Sequence, residues 1–274
     1  MRSVIIICLS LIFLFNNACA QTITQKESST QKESSNQKES SVDKAKPIRV
    51  IFSSYTPPYV FEKGNGIVID IVTEALKPAG YKVIPVFLPL GRGFKMFADR
   101  KIEATSVIKK NSGLKNAFYS DYFMQYHNYA ITLKSGPRVD SINDLANLDV
   151  IAFQNAYLYL GKAYGQLVTS NPHYKELPNQ KIQVLMLLSG RTDVAVMDKS
   201  IFRFYKNKLI SEGKVSAKVA VVLNNLFEPT RYRTAFIDHH IRDAFNQGFK
   251  KLHESGRYDE IYENYINKYF DIPR

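Results

Sequence analysis

Apolar positions along the chain follow three patterns. The first is an apolar run over residues 4–15, interrupted by Ser10, close behind Arg2. The second is a set of short runs rich in Val and Ile at 48–53, 82–88, 149–153 and 193–197. Runs of that length and composition read as strands covered on both faces. The third is a helical period. Val68, Ile71, Val72, Ala75, Leu76 and Ala79 fall on one helix face, with Pro78 and Gly80 to end it. The same spacing recurs at Ile241, Ala244, Phe245, Gly248, Phe249 and Leu252. It recurs again at Tyr258, Ile261, Tyr262, Tyr265, Ile266 and Tyr269, a tyrosine stripe that reads as core packing. Strands alternating with helices predict an α/β fold with open, largely parallel sheets.

The run at 4–15 is too short for the roughly twenty residues of a membrane-spanning helix. With Asn16, Asn17, Ala18, Cys19 and Ala20 behind it, it reads as a secretory leader over residues 1–20. Ala18 and Ala20 form an A-x-A cleavage site that predicts a mature chain starting at Gln21, in the periplasm. The alternative is lipidation at Cys19, which anchors the protein to a membrane. Residues 21–46 then form a tether in which Gln-Lys-Glu-Ser-Ser recurs three times. Such a segment has almost nothing to bury and is expected to be disordered, with a reach of about 30 Å. Both cysteines, Cys8 and Cys19, lie in the leader, so the folded part is expected to carry no disulfide, thiol nucleophile or cysteine-bound metal.

The net charge of +12 fits either a basic surface suited to an anionic envelope or an anionic ligand. Nucleic acid is not an expected partner, because no recognisable binding module is present. Catalytic signatures are missing too: there is no G-x-S-x-G, no H-E-x-x-H and no phosphate-cradling glycine loop. His239 and His240 are adjacent on a predicted helix, where neighbours diverge by about 100°, so one metal is not expected to take both. The reading is therefore no enzyme, no metal and no cofactor.

Four segments, in order, resemble family 3 of the bacterial extracellular solute-binding proteins. Tyr55-Thr56-Pro57-Pro58-Tyr59 is similar to the family's Pro-Pro-aromatic loop, and Gly66 to Asp70 to its Gly-x-x-x-Asp start of the first helix. Ala117-Phe118-Tyr119-Ser120-Asp121-Tyr122 resembles its Phe-Ser-x-x-Tyr element. Leu188-Ser189-Gly190-Arg191-Thr192-Asp193, continuing to Asp198, resembles its Leu-x-x-Gly-Arg-x-Asp stretch. The resemblance implies a two-lobed clamshell, type II-like, with a ligand cleft between lobes joined by two crossing strands. Lobe one is expected at 47–135 plus 229–274 and lobe two at 136–228, with crossings near 133–138 and 222–231. It implies reversible binding of a small polar solute by a monomer, for a membrane transporter or a sensor. Two alternatives stay open: a dehydratase-like enzyme on the same fold, and a clamshell without ligand that serves as an envelope interaction protein.

The chain departs from the family at one loop. Where the amino-acid binders have Thr-x-Glu-Arg, with the Arg on the substrate carboxylate, this chain reads Lys109-Lys110-Asn111-Ser112-Gly113-Leu114, with Gly113 about where the Arg would fall. An α-amino acid held in the family's usual way is therefore not expected.

Eight residues are candidates for the site. Arg92 offers a bidentate fork for an anion, or is a surface arginine. Tyr55 and Tyr59 offer an aromatic wall, or pack their loop. Gln154 and Asn155 precede a predicted helix whose free N–H groups suit an anion, with a plain N-cap by Asn155 as the competing reading. Asp198 falls where the family places the carboxylate that meets the substrate ammonium, or caps a helix. Tyr122 and Arg231 are placed near the cleft by the resemblance alone.

Overall fold

The computed structural model describes residues 45–270 apart from Tyr55 and Pro89. The leader, nearly all of the tether and the candidate Tyr55 lie outside the described residues.

The chain opens with β1 (Lys46–Phe52), α1 (Ile67–Leu76), β2 (Tyr81–Phe87), α2 (Leu90–Ala98) and β3 (Ala104–Ile108). Two short strands follow, β4 (Phe118–Tyr119) and β5 (Met124–Tyr126). A second series runs through β6 (Asn128–Leu133), β7 (Val150–Phe153), α3 (Ala156–Tyr159), α4 (Lys162–Ser170), β8 (Tyr174–Leu177), α5 (Gln180–Leu188), β9 (Val194–Asp198), α6 (Lys199–Ser211) and β10 (Val221–Asn224). The chain then returns through β11 (Thr230–Phe236) and ends in α7 (His239–Glu254) and α8 (Arg257–Phe270).

These strands form two sheets, one to a lobe. The first has the order β2-β1-β3-β11-β4, with β5 also on β11; the second has the order β10-β6-β9-β7-β8. Both are mixed rather than largely parallel. Where a helix connects neighbouring strands, as from β1 to β2 and from β7 to β8, pairing is parallel. β11 and β6 are reached from the other sheet, so no crossover helix sets their direction, and they pair antiparallel with β3 and β9. The first passage between sheets falls at His127, since Tyr126 pairs with Thr230 in one sheet and Asn128 with Asp198 in the other. This lies before the expected 133–138, because Asn128–Leu133 is already committed to β9 and β10. The return passage lies between Asn224 and Thr230.

Burial follows the periodic patterns. Ile67, Val68, Ile71, Val72, Ala75 and Leu76 are at most 1% exposed and cover the first sheet. α7 lies so close to α1 that a Cβ on Gly248 would come within 1.8 Å of the Ala75 carbonyl oxygen, so only glycine fits there. The tyrosines of α8 are half-buried. Tyr265 donates from its hydroxyl to Asp70 at 2.7 Å and accepts from the Gly66 N–H at 3.0 Å, which fixes the start of α1. In the second lobe Ala195 and Met197 of β9 pack under α5 and α6, while Val194 and Val196 face the core on the other side.

Candidate functional site

Between the two sheets lies a cavity of about 230 Å³. Its wall takes Ser53, Ser54 and Thr56 from the end of β1 and the loop behind it, Thr105 and Ser106 from β3, and Tyr126 and Asn128 from either side of the first passage. The second lobe adds Phe153, Gln154, Tyr159, Gln180, Asp198 and Ile201. The carboxyl ends of β1, β7 and β9 thus supply Ser53, Gln154 and Asp198, as expected of a cleft outside the carboxyl ends of parallel strands.

Asp198 is the best anchored of these groups. It ends β9 and caps α6, so its Oδ1 accepts from the N–H groups of Ser200 at 2.8 Å and Ile201 at 3.2 Å. The same oxygen accepts from the Tyr59 hydroxyl at 3.2 Å, and Oδ2 accepts from the His127 N–H at 2.9 Å. The carboxyl is 2% exposed, and burial pushes its pKa above the ordinary carboxylate value against the pull of those donors. Tyr59 stacks on Tyr126 with ring centroids 4.3 Å apart, and burial raises its phenol well above the usual range. Asp198 thus caps a helix and also lies in the cavity wall.

Asn128 is the register partner of Asp198 on β6 and is 2% exposed. Its Nδ2 has no hydrogen-bond partner among the described residues. A buried amide donor without an acceptor costs free energy. Val107, also in the wall, has φ of 57°, a conformation that a β-branched residue adopts only when its surroundings impose it. The register of β3 against β11 is irregular at this point, between Arg233 and Ala235.

The candidates separate into two groups. Asp198 and Gln154 line the cavity, and Tyr59 stands behind Asp198. Arg92 is exposed in the first turn of α2 and is not among the lining residues. Tyr122 is 51% exposed, with the Arg233 guanidinium 3.7 Å from its ring centroid; that guanidinium also donates to the Ser120 carbonyl. Arg231 is exposed on β11 opposite Gln125. The Asn155 N–H donates at 2.7 Å to Glu176, whose other oxygen accepts from Tyr157 N–H and Tyr174 hydroxyl. The chain thus fills its own anion position there. Asn155 does occupy the N-cap place, at φ of 65°, with no side-chain cap bond.

Residues that the sequence did not single out form much of the wall, above all Asn128, Tyr159 and Tyr232. Asn128 had one visible signal: it shares a strand face with Ala130 and Thr132, a polar amide at a buried phase. The expected divergence of the paired histidines is corrected. The rings of His239 and His240 lie with centroids 3.9 Å apart, and with Asp238 they bring ligand atoms within 4.8 Å of one another. The Asp238 carboxylate there accepts from the His240 N–H as the cap of α7.

The pattern for bacterial extracellular solute-binding proteins, family 3, matches residues 48–268, nearly the whole described chain. The chain belongs to this family. Solved structures agree on the fold. A substrate-binding protein of an amino-acid ABC transporter from Streptococcus pneumoniae, bound to L-arginine, superposes with a TM-score of 0.64 at 17% identity, covering 82% of this chain and 97% of that one. A histidine kinase sensor domain with similarity to periplasmic binding proteins gives 0.66 at 16% identity, covering 82% and 97%. An ancestral amino-acid-binding protein, a precursor of cyclohexadienyl dehydratase, gives 0.61 at 20% identity, covering 80% and 95%. Comparison with curated proteins finds no match. Family and fold together make this chain a two-lobed solute-binding protein.

Proposed function

We propose that the protein is exported to the periplasm, closes its lobes on one small polar solute and passes it unchanged to a membrane transporter or a sensor. The observation that carries this reading is the cavity between the two sheets, with an unpartnered buried donor on its wall. A site built for ligand leaves a polar group unmatched until ligand arrives; a clamshell that had lost its ligand would fill such a place with its own side chains, as Glu176 does at Asn155. Within the wall, Gln154, Asp198 and Asn128 are the proposed contacts. Arg92, Tyr122 and Arg231 lie outside it, and a role for them requires that closure bring them inward. The relatives named above span both outputs, a transporter and a kinase sensor.

A screen of amino acids, amino-acid amides, polyamines, organic acids, sugars and short peptides tests the proposal. A solute at about 100 times its dissociation constant adds about 2.7 kcal/mol to stability and raises the melting temperature. Closure also lowers the scattering radius. Proton spectra of the solute after long incubation are expected to be unchanged; a new product would favour the enzyme. A screen in which no solute moves either observable sinks the binding proposal in favour of an envelope interaction protein.

A further inference from the structure

The cavity's charge is unusual for a chain with a net charge of +12. Among the described lining residues, Asp198 is the one carboxylic acid and neither lysine nor arginine is present. In the sequence the lining residues Ser54 and Leu88 are followed by Tyr55 and Pro89, which are also uncharged. Lys109 meets the wall at Tyr159, where its ammonium donates to the backbone carbonyl at 3.3 Å and lies 5.6 Å from the ring centroid.

We propose that the cavity takes solutes that carry no carboxylate, and that Asn128 recognises a carbonyl or hydroxyl oxygen of such a solute. The proposal rests on the cavity being the solute site. A carboxylate entering it would leave water for a wall whose described lining residues include no lysine or arginine, the Lys109 ammonium being held on the Tyr159 carbonyl, and would lie near Asp198, a buried acid of the same sign. Asp198 supplies no compensating donor, since its oxygens already accept from Ser200, Ile201, Tyr59 and His127. The unmet demand on the wall is for an acceptor: the Asn128 Nδ2 donor has none among the described residues, and a neutral carbonyl or hydroxyl oxygen supplies one without adding a second negative charge beside Asp198. Hydroxyls of Ser53, Ser54, Thr56, Thr105 and Ser106 suit the same neutral groups, as both donors and acceptors. A carboxamide or an alcohol meets these demands.

Matched pairs that differ only at the carboxyl group test this: L-glutamine against L-glutaminamide, L-leucine against L-leucinamide and L-arginine against L-argininamide, each titrated by calorimetry into the mature protein. In at least one pair the amide is expected to bind at least tenfold tighter than the acid. Asn128→Asp, which replaces the donor with an acceptor, and Asn128→Ala are each expected to weaken that amide by about tenfold or more. The pair comparison uses the unaltered protein, so it stands even if a variant misfolds. An acid that binds as tightly as its amide overturns the inference and leaves solute binding intact. The same holds if no pair binds while an organic acid from the broad screen does. An uncharged solute from that screen, weakened tenfold by Asn128→Asp, supports it as an amide would. Amide binding that Asn128→Asp leaves within twofold removes Asn128 from the recognition. A screen with no binding at all removes both this inference and the binding proposal.

Discussion

The hydroxyl of Tyr59, in the loop behind β1 of the first lobe, donates across 3.2 Å to Oδ1 of Asp198 at the end of β9 in the second. Beside it, the His127 N–H at the first passage donates to the other carboxylate oxygen. A single buried carboxyl thus joins both lobes and the segment between them. Tyr59→Phe keeps the ring stacked on Tyr126 and removes one charge-assisted bond. The expected cost is about 1.5–3 kcal/mol, read as a lower denaturant midpoint at unchanged slope. A midpoint equal to wild type would mean that the hydroxyl contributes nothing to holding Asp198.

Asp198 itself predicts a pH dependence. Burial raises its pKa in the folded protein above the unfolded value, so the folded state holds this proton more firmly. Its contribution to stability is fully present below the ordinary carboxylate pKa and is lost as pH rises through the folded value. Asp198→Asn, neutral at every pH, is expected to remove that decline. The test compares unfolding free energies of the two proteins from about pH 3 to about pH 7; curves that stay parallel across this range would refute it.

Glu212 works in the opposite direction. It lies between the ammonium groups of Lys181 at 2.8 Å and Lys214 at 3.0 Å, and bonding to them lowers its pKa to about 2. Stability from this pairing is present above the unfolded carboxylate pKa and is lost as pH falls toward about 2. Glu212→Gln should therefore destabilise near neutrality and lose less on acidification. Added salt should shrink the difference, because the groups face solvent. A gap that salt leaves unchanged would point to packing instead.

Gly248→Ala tests the contact between α1 and α7. The methyl would meet the Ala75 carbonyl oxygen, a backbone atom that cannot rotate aside, so one helix must move. Overpacking of this kind costs about 1–3 kcal/mol or more. Gly91→Ala, in α2, provides the control, since nothing lies within 4 Å of a Cβ there and its φ is not positive. Equal melting temperatures for Gly248→Ala and wild type would show that the helices have slack.

The sequence alone determined the elements that depend on local periodicity. The helical spacing over 68–79 and 241–252 corresponds to α1 and α7, and the Val-rich run at 193–197 to β9, because burial on one face or on two writes itself into residue order. The Gly66 to Asp70 and Leu188 to Asp198 patterns, taken in order, carried the family, and Asp198 came with them. Tertiary structure alone decided strand direction, since β6 and β11 read as ordinary strands and turn antiparallel only because each arrives from the other sheet. It also decided the wall of the cavity. Arg92 looked suited to an anion yet lies outside the wall, and the Asn155 N–H is taken by Glu176, a residue twenty-one positions away. Asn128 is one buried polar residue among several, and its orphaned donor becomes visible only when everything within hydrogen-bond reach is known. Periodicity records which way a side chain faces; what it meets there is set by residues distant in sequence, and a ligand site is made of such meetings.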